Sequence, residues 1–175
     1  MASRICAGIA VAFAAAVGMT CISAQTADDK AIVTTAATAK FGPAANAPDC
    51  FTISVERGDP SKGASVILAK FAPHCVAPFH WHTPSETVMI VNGALELQMK
   101  GEKAAIGHAG DFVYMPPKHV HRATCTGAAP CTVFLTSDAA FDIHWVDAGG
   151  KEISLAEALK AAKGGNAAGG AGQKK

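Results

Sequence analysis

The sequence predicts an all-β fold, an antiparallel sandwich or barrel, with one short C-terminal helix. Apolar and polar residues alternate over short runs, the period of strands that bury one face. Clusters of Gly, Asn, Asp and Pro punctuate those runs at short intervals, as in closed or sandwiched sheets. Helical spacing of apolar residues occurs in a single segment, after Ile153.

Residues 25–45 are rich in Ala and Thr without a clear period, and read as a linker or a loosely attached first strand. From Cys50 the pattern changes. Phe51-Thr-Ile-Ser-Val-Glu alternates, and the stretch from Arg57 to Gly63 holds the residues of a turn. Ala64 to Phe71 and Thr87 to Val91 supply two more strands. Asn92-Gly93 lies between apolar runs and suits a tight hairpin, because both residues tolerate positive φ. Ala94 to Met99 alternates again, Lys100 to Lys103 turns, and Phe112 to Met115 is a short strand stopped by Pro116-Pro117. Arg122 to Thr124 and Thr132 to Thr136 flank a turn between Cys125 and Cys131. These elements bound a barrel domain at residues 46–147. In 148–175, Ser154 followed three residues later by Glu157 is a helix-start pattern. Beyond it, Gly164 to Lys175 is Gly- and Ala-rich, a composition expected to be disordered.

Residues 1–24 read as a signal peptide. Arg4 is the positive start, Ile5 to Met19 the apolar centre, and Ile22-Ser23-Ala24 the cleavage site. The apolar run is shorter than the roughly 20 residues a membrane span needs. The expected location is therefore periplasmic or secreted, with no stable membrane insertion. Removing 1–24 takes away Arg4 and no acidic residue, leaving 14 basic residues, one fewer than 15, against 14 acidic. A neutral chain carries no basic surface for nucleic acid. The mature chain keeps Cys50, Cys75, Cys125 and Cys131. An even number in an exported protein permits disulfides, with Cys125–Cys131 the first candidate and Cys50–Cys75 the second.

Chemistry concentrates in two short stretches. His80 and His82 sit one residue apart, which on a strand places both imidazoles on one face. Glu86 follows after a bend at Pro84, and His119 and His121 lie farther along, behind Pro116-Pro117. Three imidazoles and one carboxylate make a mixed nitrogen and oxygen set that suits one divalent ion of Fe, Mn, Zn, Ni or Cu. His119 is an alternative to His121 as the third imidazole, since the two would share a strand face. Trp81, between the first two histidines, should point the opposite way and pack against the sheet. Phe79, Met89, Met99, Tyr114 and Met115 are candidates for cavity lining or core, and His74, His108 and His144 read as ordinary polar or packed residues.

The pattern resembles the cupin superfamily. Its first motif runs His-x-His, three or four residues, Glu, six residues, Gly, and this chain has His80-Trp81-His82, Glu86 and Gly93 at that spacing. Its second runs Gly, five residues, Pro-x-Gly-x-x-His, three residues, Asn, and this chain has Gly110, Pro116, His121 and Cys125 at those places. The resemblance covers roughly residues 63–136. It implies an antiparallel double-stranded β-helix, or jelly-roll barrel, with metal ligands His80, His82, Glu86 and His121. It further implies a cavity for a small molecule and often dimerisation, here a homodimer. His74 stands where the first motif begins with Gly, Lys118 replaces the Gly of the second, and Cys125 replaces its Asn.

Three functions follow from such a site. A metal-dependent enzyme would act on a small molecule, by dioxygenase-like chemistry or as a Lewis-acid isomerase or lyase, with Glu86 as the catalytic base. A sensor or binding module would hold a small ligand without turnover. A metal that only stabilises the barrel is the third.

Overall fold

Strand patterning of period two commits most of the chain to sheets. The computed structural model describes residues 30–169, so residues 1–24, expected to be a signal peptide, and the last residues of the tail lie outside it. Eleven strands and one helix are present among the described residues: β1 (Gly42–Pro43), β2 (Phe51–Gly58), β3 (Ser65–Phe71), β4 (Val76–Trp81), β5 (Glu86–Asn92), β6 (Leu95–Met99), β7 (Ala105–Gly107), β8 (Phe112–Met115), β9 (His121–Cys125), β10 (Cys131–Ser137), β11 (His144–Trp145) and α1 (Leu155–Gly169). They form a six-stranded sheet, β1-β2-β3-β10-β5-β8, and a five-stranded sheet, β11-β4-β9-β6-β7. Every strand pair is antiparallel.

The inward halves of the strands meet in one core. Ile67, Ala69 and Phe71 of β3, Val88 and Ile90 of β5, Leu95 and Leu97 of β6, and Val133 and Leu135 of β10 are buried at alternating positions. Each large apolar side chain so buried contributes about 1.5–3 kcal/mol. Met89 pairs with Phe112 and Thr87 with Tyr114 on the opposite face of β5 and β8, where Met89, Phe112 and Tyr114 are exposed. Met89 and Tyr114, candidates for the cavity, therefore sit outside it. The pleat of β5 decides this, because it turns Val88 and Ile90 inward and Met89 outward.

Asn92-Gly93 is not the hairpin that the dipeptide suggests. β5 belongs to the six-stranded sheet and β6 to the five-stranded one, so the chain crosses between sheets here. Gly93 takes φ 90° while Asn92 does not adopt positive φ, and a Cβ on Gly93 would lie 2.9 Å from both Cα and Sγ of Cys131. The crossing is a close passage beneath β10 that glycine alone fits. The Cys125–Cys131 disulfide joins the end of β9 to the start of β10, at a second crossing between the sheets. The Cys50–Cys75 disulfide ties the segment before β2 to the segment before β4.

α1 opens with a reciprocal cap. Ser154 N–H donates to Glu157 Oε2 at 2.8 Å, and Glu157 N–H donates to Ser154 Oγ at 3.3 Å. Ala158 is buried in the core cluster. The helix runs to Gly169, into the stretch from Gly164 whose composition points to disorder. Once nucleated, a helix adds one hydrogen bond per residue, so it extends over alanines beyond its packed part. No helix among the described residues is long and apolar enough to cross a membrane.

Candidate metal centre

The centre is assembled where the two sheets face each other. β4 brings His80, and cross-strand pairing sets it directly opposite His121 at the start of β9. His82 follows the end of β4, and Glu86 opens β5 in the other sheet. All four side chains are buried, each at 5 % exposure or less. One nitrogen from each of His80, His82 and His121 lies within 4.8 Å of the others. Glu86 Oε2 is 3.2 Å from His121 Nε2 and 3.4 Å from His82 Nε2.

The backbone decides which imidazole nitrogen faces inward. Nδ1 of His80 donates to the Pro78 carbonyl at 2.7 Å, Nδ1 of His121 to the His119 carbonyl at 2.8 Å, and Nδ1 of His82 to the Asp142 carbonyl. A carbonyl can only accept, so all three Nδ1 atoms carry a proton. In the neutral rings Nε2 is then the lone pair, the tautomer a metal takes. Pro78 contributes through what it lacks. It has no N–H for the ladder, the β4–β9 register shifts between Ala77 and His80, and its carbonyl accepts from His80.

Titration follows burial and neighbours. Burial pushes His80 well below its ordinary value, and His121 and His82 beside it add to the shift. Burial also pulls His82 down, but Glu86 outweighs it and the net shift is upward. For Glu86, burial works against the charge, yet His82 and His121 outweigh it and hold the carboxyl below the ordinary carboxylate range. A metal needs an ionised carboxylate and neutral imidazoles, and binding would displace the proton that Glu86 favours on His82. His82 Nε2 is buried and, beyond the 3.4 Å approach of Glu86 Oε2, which is too poorly aligned for a hydrogen bond, has no partner among the described residues. A buried polar atom left so costs about 1–3 kcal/mol, and a cation at the centre would satisfy it. The donor set therefore fits a divalent metal.

His119, the alternative third imidazole, lies outside the group and offers its backbone carbonyl instead. His108 is exposed, at a surface turn. Of the cavity candidates Met115 lines the space beside the centre, with Val88, Leu97 and Val133. His74 and Lys118 explain two departures in the motifs: they adopt φ 61° and 60°, the left-handed region natural to glycine.

Residues 141–145 were not legible as part of the centre. Phe141 stacks on His82 with ring centroids 4.2 Å apart, and the Asp142 carbonyl orients the same imidazole. The Asp142 carboxylate accepts from Thr83 N–H at 2.7 Å and from the Thr83 hydroxyl, and pairs with His144 Nε2 at 3.1 Å. His144 also meets Glu152 at 3.2 Å and stacks on Trp81 at 3.8 Å, its cross-strand partner. His144 is thus part of the support of His82, and Trp81 faces away from the centre as expected but packs on this imidazole. No motif marks this segment; a polar–apolar alternation over Asp142-Ile143-His144-Trp145 is the only signal.

Residues 67–137 match the family model described as a cupin domain. These residues form a cupin domain. The chain is similar to the polyketide cyclase RemF from Streptomyces resistomycificus at 12% identity and TM-score 0.57, over 65% of this chain and 84% of that one. A RmlC-like cupin from Shewanella frigidimarina shares 15% identity at TM-score 0.51, over 61% and 88%. KdgF from a Halomonas species shares 18% at TM-score 0.50, over 59% and 92%. At these identities the likeness shows the fold alone, a double-stranded β-helix. No curated protein matches the sequence.

Proposed function

We propose that this chain is an exported cupin that holds one divalent metal through His80, His82, Glu86 and His121 and works as a metal-dependent enzyme on a small molecule. The observation that carries the reading is the convergence of three imidazoles, each with Nδ1 committed to a carbonyl, on a buried carboxylate. Four protein donors leave coordination positions for a ligand. The mixed set admits Fe, Mn, Zn, Ni or Cu.

Dioxygenase-like chemistry is favoured over a Lewis-acid isomerase or lyase. General acid–base work needs a second titratable group within reach of the substrate. Around the cavity, the three imidazoles and Glu86 are the titratable side chains, and the remaining walls are apolar apart from the Trp145 indole. That indole N–H already donates to the Asn46 carbonyl at 3.0 Å. Tyr114 and His119 do not line the space. A bound redox metal would supply O₂ activation there. The apolar walls exclude water, the carbonyls fix the imidazoles, and Glu86 holds negative charge and can accept a proton at its carboxylate. The same lack of a second acid or base favours the alternative, a sensor that binds its ligand without turnover.

Export is supported by the 1–24 segment and by two disulfides in so small a barrel. The exposed row of Met89, Phe112 and Tyr114 is the surface we assign to a homodimer contact.

Elemental analysis of protein purified from an exporting host, beside His80→Ala, tests the reading. About one iron per chain, absent from the variant, with O₂ uptake on candidate substrates, supports the oxygenase. Turnover without O₂ would move the assignment to Lewis-acid chemistry. No metal in either protein would overturn it.

A further inference from the structure

The space against the metal-ligand side chains is small. The cavity lined by the three imidazoles and Glu86 measures about 70 Å³. With roughly 30 Å³ per water in the liquid, that is room for a few water-sized groups. Ligand sites that bury a whole small molecule measure roughly 300–1,000 Å³. The inner cavity alone cannot hold such a ligand.

A second chamber of about 420 Å³ adjoins it. The two share Ala47, Phe51, Leu135, Phe141 and Ile143 as walls. The partition is held in place. Phe141 N–H donates to the Pro60 carbonyl at 2.7 Å, and Asn46 Nδ2 donates to the Ile143 carbonyl at 3.3 Å. The outer lining is largely Ala, Pro, Phe, Ile and Leu, with Asn46, Ser61 and Asp142 its polar members. Glu86 and Asp142 are the acidic groups of the two chambers, and no Lys or Arg lines either one.

We propose that the outer chamber binds the body of the ligand, a small molecule whose body is uncharged and largely apolar and whose single polar head reaches the histidine centre past Phe141 and Ile143. This rests on the metal-centre reading for the head and on the outer chamber alone for the body. Size requires the division, since only the outer space admits a molecule of ordinary ligand dimensions. Charge sets the class. An anionic body would meet Asp142 in the outer chamber, where no Lys or Arg offsets its desolvation, whereas an apolar body loses nothing by leaving water.

The test titrates the metal-bound, full-length mature protein with phenylnaphthylamine, a neutral aromatic fluorophore that brightens in apolar sites, and with its anionic relative anilinonaphthalene sulfonate. Ala45 and Ser61 line the chamber from exposed positions, so Ala45→Trp and Ser61→Trp fill it without entering the core. The expected result is one neutral probe per chain, weakened about tenfold or more by each tryptophan, with metal content and melting unchanged; the sulfonate binds about tenfold more weakly than the neutral probe. Equal binding in wild type and both variants, or a preference for the sulfonate, would overturn the proposal. So would failure of the neutral probe to bind the wild-type protein. Probe binding that follows the expected pattern in a protein devoid of metal would leave the chamber standing and remove the metal centre instead.

Discussion

Gly93→Ala separates two physical costs that usually arrive together. Gly93 sits at φ 90°, and its added Cβ would approach Cα and Sγ of Cys131 to 2.9 Å and the Pro130 carbonyl oxygen to 3.0 Å. Two of these atoms are backbone, and the third is locked in the Cys125–Cys131 disulfide, so none yields as a flexible side-chain tip would. Gly101 has nearly the same φ, 85°, with nothing within 4 Å of its Cβ position. Left-handed backbone costs an L residue about 1–2 kcal/mol. Losing the extra freedom of glycine in the unfolded chain returns about 0.5–1 kcal/mol. Gly101→Ala should therefore destabilise by about 0.5–1 kcal/mol. Gly93→Ala adds about 1–3 kcal/mol of overpacking, for a total of about 2–4 kcal/mol. At about 2–4 °C per kcal/mol for a chain of this size, the Gly93 variant should melt roughly 4–16 °C lower. Urea unfolding of both oxidised variants, with matched slopes, reads the difference. Equal losses in the two would refute the close passage beneath β10.

His80→Ala or His121→Ala should strip bound metal, while His108→Ala and His119→Ala keep it; equal metal content in all four would dismiss the ligand set. His74→Gly should raise stability by about 0.5–1 kcal/mol, because it relieves left-handed backbone at an exposed side chain, and a loss in a urea melt would contradict that. For His144, burial lowers the pKa, but its contacts with Asp142 and Glu152 outweigh this and raise it. A raised pKa stabilises the fold fully below the unfolded value near 6.5 and loses that contribution as pH rises through the folded value. His144→Gln should thus cost more at mildly acidic than at alkaline pH. With the pair partly exposed, the difference should stay under about 1 kcal/mol, and a pH-independent cost would sink it. Adding the native metal to chelated protein should raise its melting temperature in proportion to the logarithm of free metal; no shift would mean that the metal does not favour the folded state.

Much of this molecule is legible as a string because its strands bury one face each. Ala64 to Phe71 and Thr132 to Thr136 stand out as short apolar runs, and both lie in central strands. The resemblance of the two motifs to cupins pointed to His80, His82, Glu86 and His121 as one set, and the β4–β9 ladder sets His80 opposite His121. β4 itself is harder to see, since Pro78 interrupts it and the bulge that accommodates proline has no period. Asn92-Gly93 misled because a dipeptide encodes φ preferences, not which sheet the next strand joins. Phe141, Asp142 and His144 were invisible as partners of His82. They act through a ring face and a backbone carbonyl some sixty residues away, and neither contact imposes a sequence pattern.

The Nδ1 protons of the three imidazoles all end on main-chain oxygens, two of them only two residues before the imidazole they hold. Main-chain oxygens are present whatever the side chains become. Substitutions in the walls can therefore accumulate without loosening the donors, and substitutions at Pro78, His119 or Asp142 alter the imidazoles only by moving the chain. Such a centre can pass unchanged through long divergence while the chambers around it are recut for new ligands. Descendants of one barrel would then differ in what they accept long before they differ in how they grip an ion.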